Sequence, residues 1–549
     1  NFDNFILLNA LLKQDENDLT NKLLNVSDVF YNGNQILNFK INKKHSTFDI
    51  RKHLVGSLKS CCKGFNVNMC GKLDFDHNKA QKLYQKGKLI DYITDNQELE
   101  DYNNMDCISL AIIFKRYKDA LINMPQTKKY GDKLTDNKTI GGIIYNIFKD
   151  HTRNLKMNKK DKLKFEKLDK KYYKDILKYK CAGRVEMFNG VQEILEGMVS
   201  LDICSMYPFV MAVLKDAYYP CGKITEVNKF DNKKIGFYYC DIDQSILRTK
   251  NLPNIYPKKN YKIKKDGSEG ELIGNDWDTT EVLENYLISS VMIKQLKSYG
   301  CIVDIKSGIT FQDKMRGCDL FEFILEFMMK KNEQDINKKE KPELYNSALR
   351  ETLKLLMNSL SGKVIEGLHT DKTEMTTSYE FQQLLNRMDD DDEGKSTNNI
   401  ESINAINFVG NKVFTSYKVS EDSELSKQRP IYLGVMIYDY SKCYIYDTLY
   451  AVVGLKDLVY TDTDAGKFRK RILKRVMEYY TTNYVPYWDK VLKYDKRYKG
   501  HKLYDSKSKV FGSYENEMDE LPNNDKFYCF QKKSWVCIDT NEYNNGSRD

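Results

Sequence analysis

The sequence predicts a multidomain α/β protein, and three observations lead to that class. The chain has 549 residues, 41% hydrophobic and 12% aromatic, which is enough for several domains with large cores. Apolar runs that end in acids predict strands, as in segments 198–202 and 457–464. Apolar and polar residues at helical spacing predict a helix over residues 353–363. Strands and helices are therefore mixed along one globular chain.

Composition narrows the function classes. The net charge of +9 is mildly basic, which permits a nucleic-acid partner without requiring one. The 13 cysteines include no C-x-x-C spacing, so we expect reduced thiols and neither a zinc site nor a secreted disulfide framework. No apolar run approaches the ~20 residues of a membrane span, and we expect no signal peptide. We expect a protein that is not secreted, with a cytoplasmic location and an organelle as an alternative.

The segment 457–466 predicts a strand, a tight turn and a second strand. Asp462 and Asp464 lie in this turn, separated only by Thr463. Paired carboxylates at the end of a rigid strand suit divalent cations, because Mg²⁺ prefers oxygen ligands. The alternative for this piece alone is a solvated hairpin.

Two upstream segments supply further parts for phosphoryl transfer. Residues 198–208 form a strand pattern that ends at Asp202, followed by a polar turn that Pro208 closes. On the predicted helix, a polar stripe shares one face within about 80°, and its members are Arg350, Lys354, Asn358 and Ser361. Gly362 stands where the helix would end. Acids could hold metals, while the cations clamp a leaving pyrophosphate.

These segments resemble the motifs of family B DNA polymerases. Segment 202–208 resembles motif A (DxxSLYP), 354–362 resembles motif B (KxxxNSxYG), and 460–464 matches motif C (YxDTD). Their order and spacing are similar to the protein-primed branch, which is found in phages, linear plasmids and related viral elements. The resemblance therefore implies a viral or plasmid replication compartment as an alternative to the general cytoplasm.

The resemblance implies roles at a polymerase site. The catalytic, metal-binding acids would be Asp202, Asp462 and Asp464, holding two Mg²⁺ ions. The nucleotide-binding residues would be Ser205, Met206, Tyr207, Arg350, Lys354 and Asn358, with Tyr207 excluding a 2′-hydroxyl. Ser359, Gly362 and Thr463 would contact DNA. Ser361 departs from the family, which has tyrosine there, so either a neighbouring aromatic side chain fills the gap or the pocket is loose.

The N-terminal part resembles a 3′–5′ exonuclease with two further Mg²⁺ ions. Tyr102 and Asp106 match its third motif (YxxxD) one helical turn apart, as catalytic tyrosine and metal-binding acid. Asp3 resembles the metal-binding acid of the second motif, and its alternative role is a plain helix cap. The first motif would precede residue 1, and we expect the chain to be a fragment. Ser57 and Leu58 resemble the (S/T)Lxxh motif and Lys72 the Kxxh motif, which contact single-stranded DNA and the priming protein.

Weaker resemblances are found in the linker between the domains and near the end of the sequence. The lysine-rich residues 131–185 predict a solvated helical linker. It ends where the family has YxGG, with Gly183 and Arg184 kept as DNA-binding residues but alanine and lysine replacing the first glycine and the tyrosine. Lys533 and Trp535 fall at the DNA-binding KxY motif, with tryptophan in place of tyrosine. The acidic run 389–393 predicts an exposed loop without an assigned role.

The resemblance implies a domain plan as well as a fold. We expect a ribonuclease H-like exonuclease domain at 1–130, a linker at 131–185 and a right-hand polymerase domain at 186–549. Within the last, the expected parts are the palm at 190–235 and 405–549, a first terminal-protein-region insertion at about 215–315, fingers at about 316–364 and a second insertion at about 365–404.

The predicted function is template-directed, DNA-dependent DNA polymerisation in protein-primed replication of a linear DNA, with an associated 3′–5′ exonuclease. The expected partners are template–primer DNA, deoxynucleoside triphosphates and a terminal priming protein, and the chain is expected to be a monomer without a membrane partner. The alternatives are an inactive polymerase fold that serves as a DNA-binding scaffold and a nuclease-only enzyme. Both are disfavoured because the acids of motifs A and C are present.

Overall fold

The structure, a computed structural model, describes residues 7–8, 11, 26–32, 35–54, 56–68, 77–88, 97–157, 161–188, 190, 192–194, 197–264, 268–386, 400–409, 412–483, 511–516, 524–531 and 534–539. The chain folds into two compact units. The first unit comprises Asn1–Ile147, Ile336–Leu360 and Leu368–Lys427, and the second comprises Phe148–Asp335, Ser361–Gly367 and Gln428–Asp549. Both units join segments that are distant in sequence, whereas the expected domains are continuous ranges. The two divisions are therefore not directly comparable, and the expected domain boundaries stay predictions.

The described strands are β1 (Val26–Asn32), β2 (Gln35–Ile41), β3 (His45–Ser46), β4 (Lys156–Met157), β5 (Asp161–Lys162), β6 (Val185–Met187), β7 (Gln192–Ile194), β8 (Met198–Ile203), β9 (Tyr218–Val227), β10 (Gly236–Asp243), β11 (Lys258–Ile263), β12 (Glu269–Asp276), β13 (Leu283–Ser289), β14 (Ile302–Arg316), β15 (Asp371–Thr377), β16 (Ile400–Val409), β17 (Lys412–Val419), β18 (Leu458–Asp462), β19 (Ala465–Arg469), β20 (Tyr514–Asn516), β21 (Asn524–Gln531) and β22 (Ser534–Asp539).

The described helices are α1 (Leu58–Gly64), α2 (His77–Gln85), α3 (Gln97–Ile122), α4 (Lys128–Asp132), α5 (Ile140–Arg153), α6 (Lys170–Tyr179), α7 (Met206–Ala212), α8 (Ser245–Thr249), α9 (Ser290–Ser298), α10 (Gly317–Leu320), α11 (Glu322–Glu340), α12 (Ser347–Val364), α13 (Ser378–Asn386), α14 (Glu421–Leu425), α15 (Ile431–Ile445), α16 (Ala451–Val453) and α17 (Leu473–Asn483). The predicted mixture of helices and strands is confirmed.

Two small antiparallel sheets build the first unit. They have the strand orders β1-β2-β3 and β15-β17-β16. Along β17 every second residue is buried, which is the pattern of a strand with one face on a core. Phe381 and Leu384 of α13 pack against that face. A second cluster joins the two sheets, and its members are Leu8, Leu11, Val26, Ile36 and Phe39, with Met375 and Phe414 at its edge.

The buried side chain of His53, in the loop before α1, forms a hydrogen bond with the long helix α3. His53 donates from Nε2 to the carbonyl oxygen of Asn137 at 2.9 Å, since a carbonyl can only accept. Its Nδ1 therefore accepts from the Tyr117 hydroxyl at 3.1 Å. Burial lowers the pKa of His53 to about 4, because the charged ring would lose its hydration.

Acid should therefore destabilise the unit that holds His53. The unfolded chain takes up a proton near pH 6.5 and the folded chain only near pH 4, so stability is complete above pH 6.5 and falls as pH drops through that window. The expected loss is about 3 kcal/mol. Urea unfolding at pH 7.5 and 4.5 measures it, and His53→Gln removes this titration. Equal pH dependence of the wild type and His53→Gln would contradict the assignment.

Two larger sheets organise the second unit. One has the strand order β13-β10-β14-β9, and the other has the order β20-β8-β19-β18-β6. Segment 237–242 lies within β10, which pairs with a strand on each side, and the first five residues of β10 are buried. The strand β11 begins directly after Pro257, as expected for a residue that cannot donate to a ladder. The apolar helix α15 is buried along most of its length.

The expectation of a solvated linker is wrong for helix α6. Tyr172, Tyr173 and Ile176 on this helix are buried, although lysines surround them in the sequence. The lysines occupy the outer face, and Lys171 and Lys178 extend over tyrosine rings at 5.8 and 5.2 Å. The inner stripe is short and aromatic, so the lysine content concealed it. Among the described helices, none is both long and apolar enough to cross a membrane.

Candidate active site

The predicted acidic turn is a two-residue hairpin loop between β18 and β19. Asp462 pairs with Ala465, which leaves Thr463 and Asp464 at the tip. Thr463 has a φ of 62°, a left-handed conformation that a β-branched residue rarely adopts. Such a residue costs on the order of 1–3 kcal/mol, and the surroundings must hold it. The Thr463 amide donates to the Arg184 carbonyl oxygen at 2.8 Å and supplies part of that restraint.

The acids lie along one end of the five-stranded sheet. The register places Glu515, Asp202, Ala465, Asp462 and Val185 in a single cross-strand row. Directly opposed residues of antiparallel strands point to the same face, so Asp202, Asp462 and Glu515 share one face. Neighbouring strands are ~4.8 Å apart. The backbone of Asp464 joins this end of the sheet, because its carbonyl oxygen accepts from the Ile203 amide at 2.8 Å.

This donor set fits a hard divalent cation. Within the part of the chain that the structure describes, no three acidic, histidine or cysteine side chains form a closed metal cage. Mg²⁺ does not need one, since it usually takes one or two carboxylates and completes its octahedron with water and substrate phosphate. Asp202, Asp462 and Asp464 are half-buried, so their oxygens remain accessible.

Sequence reasoning missed Glu515 as a member of this row. The segment 511–517 was predicted as a continuation of the palm, but no local pattern indicated which residue would stand opposite Asp202. That information is in the pairing of β20 with β8.

Tyr207 stands beside the acidic turn. Ser205 adopts a left-handed conformation with a φ of 51°, and α7 begins at Met206. The predicted closing turn at Pro208 is corrected, because this proline lies in the first turn of α7, where a missing N–H costs nothing. The Tyr207 hydroxyl accepts a hydrogen bond from the Gly183 backbone, and burial raises the pKa of this phenol. The charge of Asp464 contributes in the same direction, so the two side chains are near each other.

The segment 179–184 lies next to the acidic turn, and hydrogen bonds from two distant residues fix its backbone. Lys259 Nζ donates to the Lys180 carbonyl oxygen at 2.8 Å, and the Tyr256 hydroxyl donates to the Tyr179 carbonyl oxygen at 2.7 Å. A Cβ at Gly183 would lie 2.7 Å from the Thr463 Cβ. Only glycine therefore allows this approach, which explains the glycine that the resemblance singled out.

Arg184 requires a correction. Its side chain is 6% exposed and donates to Glu186 Oε2 at 2.5 Å and to the Asn254 carbonyl oxygen at 2.8 Å. The guanidinium also lies 4.6 Å from the Trp277 ring centre and 4.8 Å from that of Phe188. Its hydrogen-bonding and stacking capacity is used inside the protein, so the guanidinium does not present itself to DNA as expected. Its carbonyl instead restrains Thr463.

The predicted motif B helix is confirmed as α12, with one change at its end. In the first unit it carries Lys354 and Asn358, both exposed, and Arg350, which pairs with Glu351 at 2.6 Å. Ser359 Oγ donates back to the Leu355 carbonyl oxygen at 2.7 Å. The helix continues to Val364, so Gly362 lies inside the last turn and does not end it.

In the first unit, Tyr102 and Asp106 lie one turn apart on α3, half-buried, as predicted. Ser57 caps α1, accepting from the Ser60 amide at 3.2 Å, and Leu58 is the first residue of that helix. In the second unit, Trp535 pairs with Cys529 between β22 and β21. Three predicted residues and the acidic run 389–393 fall outside the described residues, and those three are Asp3, Lys72 and Lys533.

Solved structures with a similar fold include forms of Phi29 DNA polymerase. Its complex with primer-template DNA and incoming nucleotide substrates has a TM-score of 0.54 at 16% identity, covering 97% of this chain and 76% of that one. The post-translocation binary complex with primer-template DNA has a TM-score of 0.53 at 15% identity, with the same coverage. The orthorhombic crystal form has a TM-score of 0.52 at 17% identity, covering 92% and 69%. This likeness confirms the predicted fold class.

No curated protein matches the chain. The family model described as DNA polymerase type B, organellar and viral, matches residues 3–453. That range contains motifs A and B and ends just before the acidic hairpin of motif C. The chain therefore belongs to the organellar and viral family of type B DNA polymerases.

Proposed function

We propose that this DNA polymerase is template-directed and DNA-dependent, and that it replicates a linear DNA from a protein primer. The observation that carries the proposal is the row of acids at one end of the sheet, with Asp202 and the Asp462–Asp464 turn on adjoining strands and Tyr207 beside them. Phi29 DNA polymerase, which shares the fold, has been crystallised with primer-template DNA and incoming nucleotides. The same partners are proposed for this chain, together with a terminal priming protein, and the chain acts as a monomer.

The three aspartates would hold two Mg²⁺ ions. When bound, Mg²⁺ lowers the pKa of the attacking hydroxyl and neutralises charge on the phosphates. The strained turn fixes Asp462 and Asp464 before substrate arrives, so little reorganisation is needed during the reaction. Arg350 and Lys354 are proposed to neutralise the triphosphate, since both project from α12. Other proposed contacts are Ser205, Met206 and Asn358 to the nucleotide, and Ser57, Leu58, Lys72, Gly183, Ser359, Gly362, Thr463, Lys533 and Trp535 to DNA.

A 3′–5′ exonuclease is the second proposed activity. Tyr102 and Asp106 share one face of α3, where the acid can hold a divalent cation and the phenol can orient a water molecule. Asp3 would contribute a further carboxylate, and two Mg²⁺ ions are proposed for this site as well. The domain plan proposed from the sequence places this activity in residues 1–130.

Primer extension separates the proposal from its alternatives. The protein, a primed template and four deoxynucleoside triphosphates are incubated with Mg²⁺, with EDTA, or without template. Extension that needs both metal and template supports the proposal. DNA binding without extension would favour the inactive scaffold, and degradation without extension would favour a nuclease. Transfer of labelled nucleotide to a candidate priming protein, with no DNA primer present, tests the priming step separately.

Tyr207 should govern sugar selection. The ring is half-buried and its hydroxyl is fixed by the Gly183 backbone, so it can exclude a 2′-hydroxyl by volume. Tyr207→Val should raise ribonucleotide use relative to deoxyribonucleotide use by about 10- to 100-fold, the range for a pocket that gains or loses one small group. The ratio of kcat/KM for the two substrates measures it, and Tyr207→Phe, which keeps the ring, is the control. An unchanged ratio in Tyr207→Val would place the gate elsewhere.

A further inference from the structure

Tyr207 has an aromatic neighbour that the motifs do not include. The Tyr438 ring on α15 lies 5.4 Å from the Tyr207 ring, with 52° between their planes. Burial raises the pKa of the Tyr438 phenol. Tilted aromatic pairs at this separation attract each other beyond their buried area. Tyr438 therefore restrains the ring of Tyr207, while the Gly183 backbone restrains its hydroxyl.

Close contacts fix the position of α15, the helix that carries Tyr438, next to the end of α12. A Cβ at Gly434, one turn before Tyr438, would lie 2.6 Å from the Ile365 Cβ. At the start of α15, Arg429 donates to the Lys363 carbonyl oxygen at 2.6 Å and pairs with Glu366 at 2.5 Å. The backbone of α15 is thus locked where α12 ends, so Tyr438 cannot easily shift away from Tyr207.

Ser361 gives this contact its significance. It stands where the family has tyrosine, so it carries no ring, and it is 4% exposed. The aromatic support of Tyr207 comes from α15, through Tyr438.

We propose that Tyr438 is a positioning residue that sets the sugar selectivity of this polymerase by holding Tyr207 in place. The proposal rests on the proposed role of Tyr207 in the polymerase reaction. A steric gate excludes an extra hydroxyl only while it is immobile, since a ring that can tilt makes room for one. Tyr438 acts on the nucleotide through Tyr207, so its loss should change which sugar is accepted more than how fast the correct one reacts.

The test compares Tyr438→Ala and Tyr438→Phe with wild type by single-nucleotide insertion kinetics. Tyr438→Ala should raise the ribonucleotide to deoxyribonucleotide ratio of kcat/KM by about tenfold, the upper effect of one aromatic contact. Tyr438→Phe keeps the ring and should keep the wild-type ratio. Tyr440→Ala is the matched control, because Tyr440 is also a half-buried tyrosine of α15 but packs on Tyr219 at 5.6 Å. It should not change the ratio.

A double variant identifies the route of the effect. If Tyr438 acts through Tyr207, then Tyr207→Ala/Tyr438→Ala should discriminate no worse than Tyr207→Ala alone. If Tyr438→Ala does not fold, Tyr438→Leu removes the ring at smaller loss of volume and replaces it in every comparison. A normal ratio in this variant, with a raised ratio in Tyr207→Ala, would overturn the role of Tyr438 alone. Absence of extension by the wild type would overturn the proposed function as well.

Discussion

Replacing Asp464 by asparagine is expected to reduce nucleotide addition by at least 10³-fold while leaving DNA binding nearly unchanged. Asparagine has the same shape but no charge, so a metal-ligand charge is lost, which is worth several kcal/mol in the transition state. About 4 kcal/mol corresponds to a thousandfold in rate. The main-chain bonds of Asp464 to Asp462 and Ile203 do not involve the side chain, and the hairpin should persist. The same result is expected for Asp202→Asn.

Asp457→Asn is a matched control for this experiment. Asp457 precedes β18, far along the strand from the turn, and pairs with Arg471 at 2.7 Å. Asp457→Asn removes one carboxylate charge next to the same hairpin but outside the site. This variant should polymerise at the wild-type rate. Single-turnover insertion gives the rate, and fluorescence anisotropy with labelled primer–template gives DNA binding. If Asp464→Asn kept a tenth of the wild-type rate, the assignment of the catalytic acids would be wrong.

The parts of the site that could be predicted are those that local chemistry determines. Asp462 and Asp464 follow an apolar β-branched run within ten residues, so a single segment of sequence is enough to predict the turn and its acids. The same holds for Asp202 at the end of β8, and for the polar residues spaced along α12. These segments also carry the family motifs, which is why resemblance and residue chemistry agreed on them.

The parts that could not be predicted depend on pairing between distant segments. Arg184 was expected at DNA from its place in the YxGG-like segment. Trp277 and Asn254, which enclose it, come from segments almost 100 and 70 residues further on. Glu515 and Tyr438 belong to the site only through strand register and helix packing. Such contacts have no local sequence pattern, since burial and register decide them.

Replacing Gly183, which packs against the acidic turn, should reduce the rate of nucleotide addition nearly as strongly as replacing the acids. Gly183→Ala would place a methyl group 2.7 Å from the Thr463 Cβ, closer than carbon atoms can pack. Thr463 cannot simply swing away, because its amide is bonded to Arg184 and its backbone is already strained. The turn must move, and Asp462 and Asp464 move with it. A displacement of about 1 Å can cost 10²-fold in rate.

We therefore expect Gly183→Ala to lower kcat for nucleotide addition by about 100-fold with little change in DNA affinity. Gly274→Ala is the control, because a Cβ at Gly274 meets no atom within 4 Å. The decisive variant is Gly183→Ala/Thr463→Gly, in which the obstructing side chain is removed and glycine accepts the left-handed conformation without strain. It should recover most of the activity that Gly183→Ala loses, relative to Thr463→Gly alone. If the double variant is as slow as Gly183→Ala, the contact with Thr463 is not the reason why glycine is required at this position.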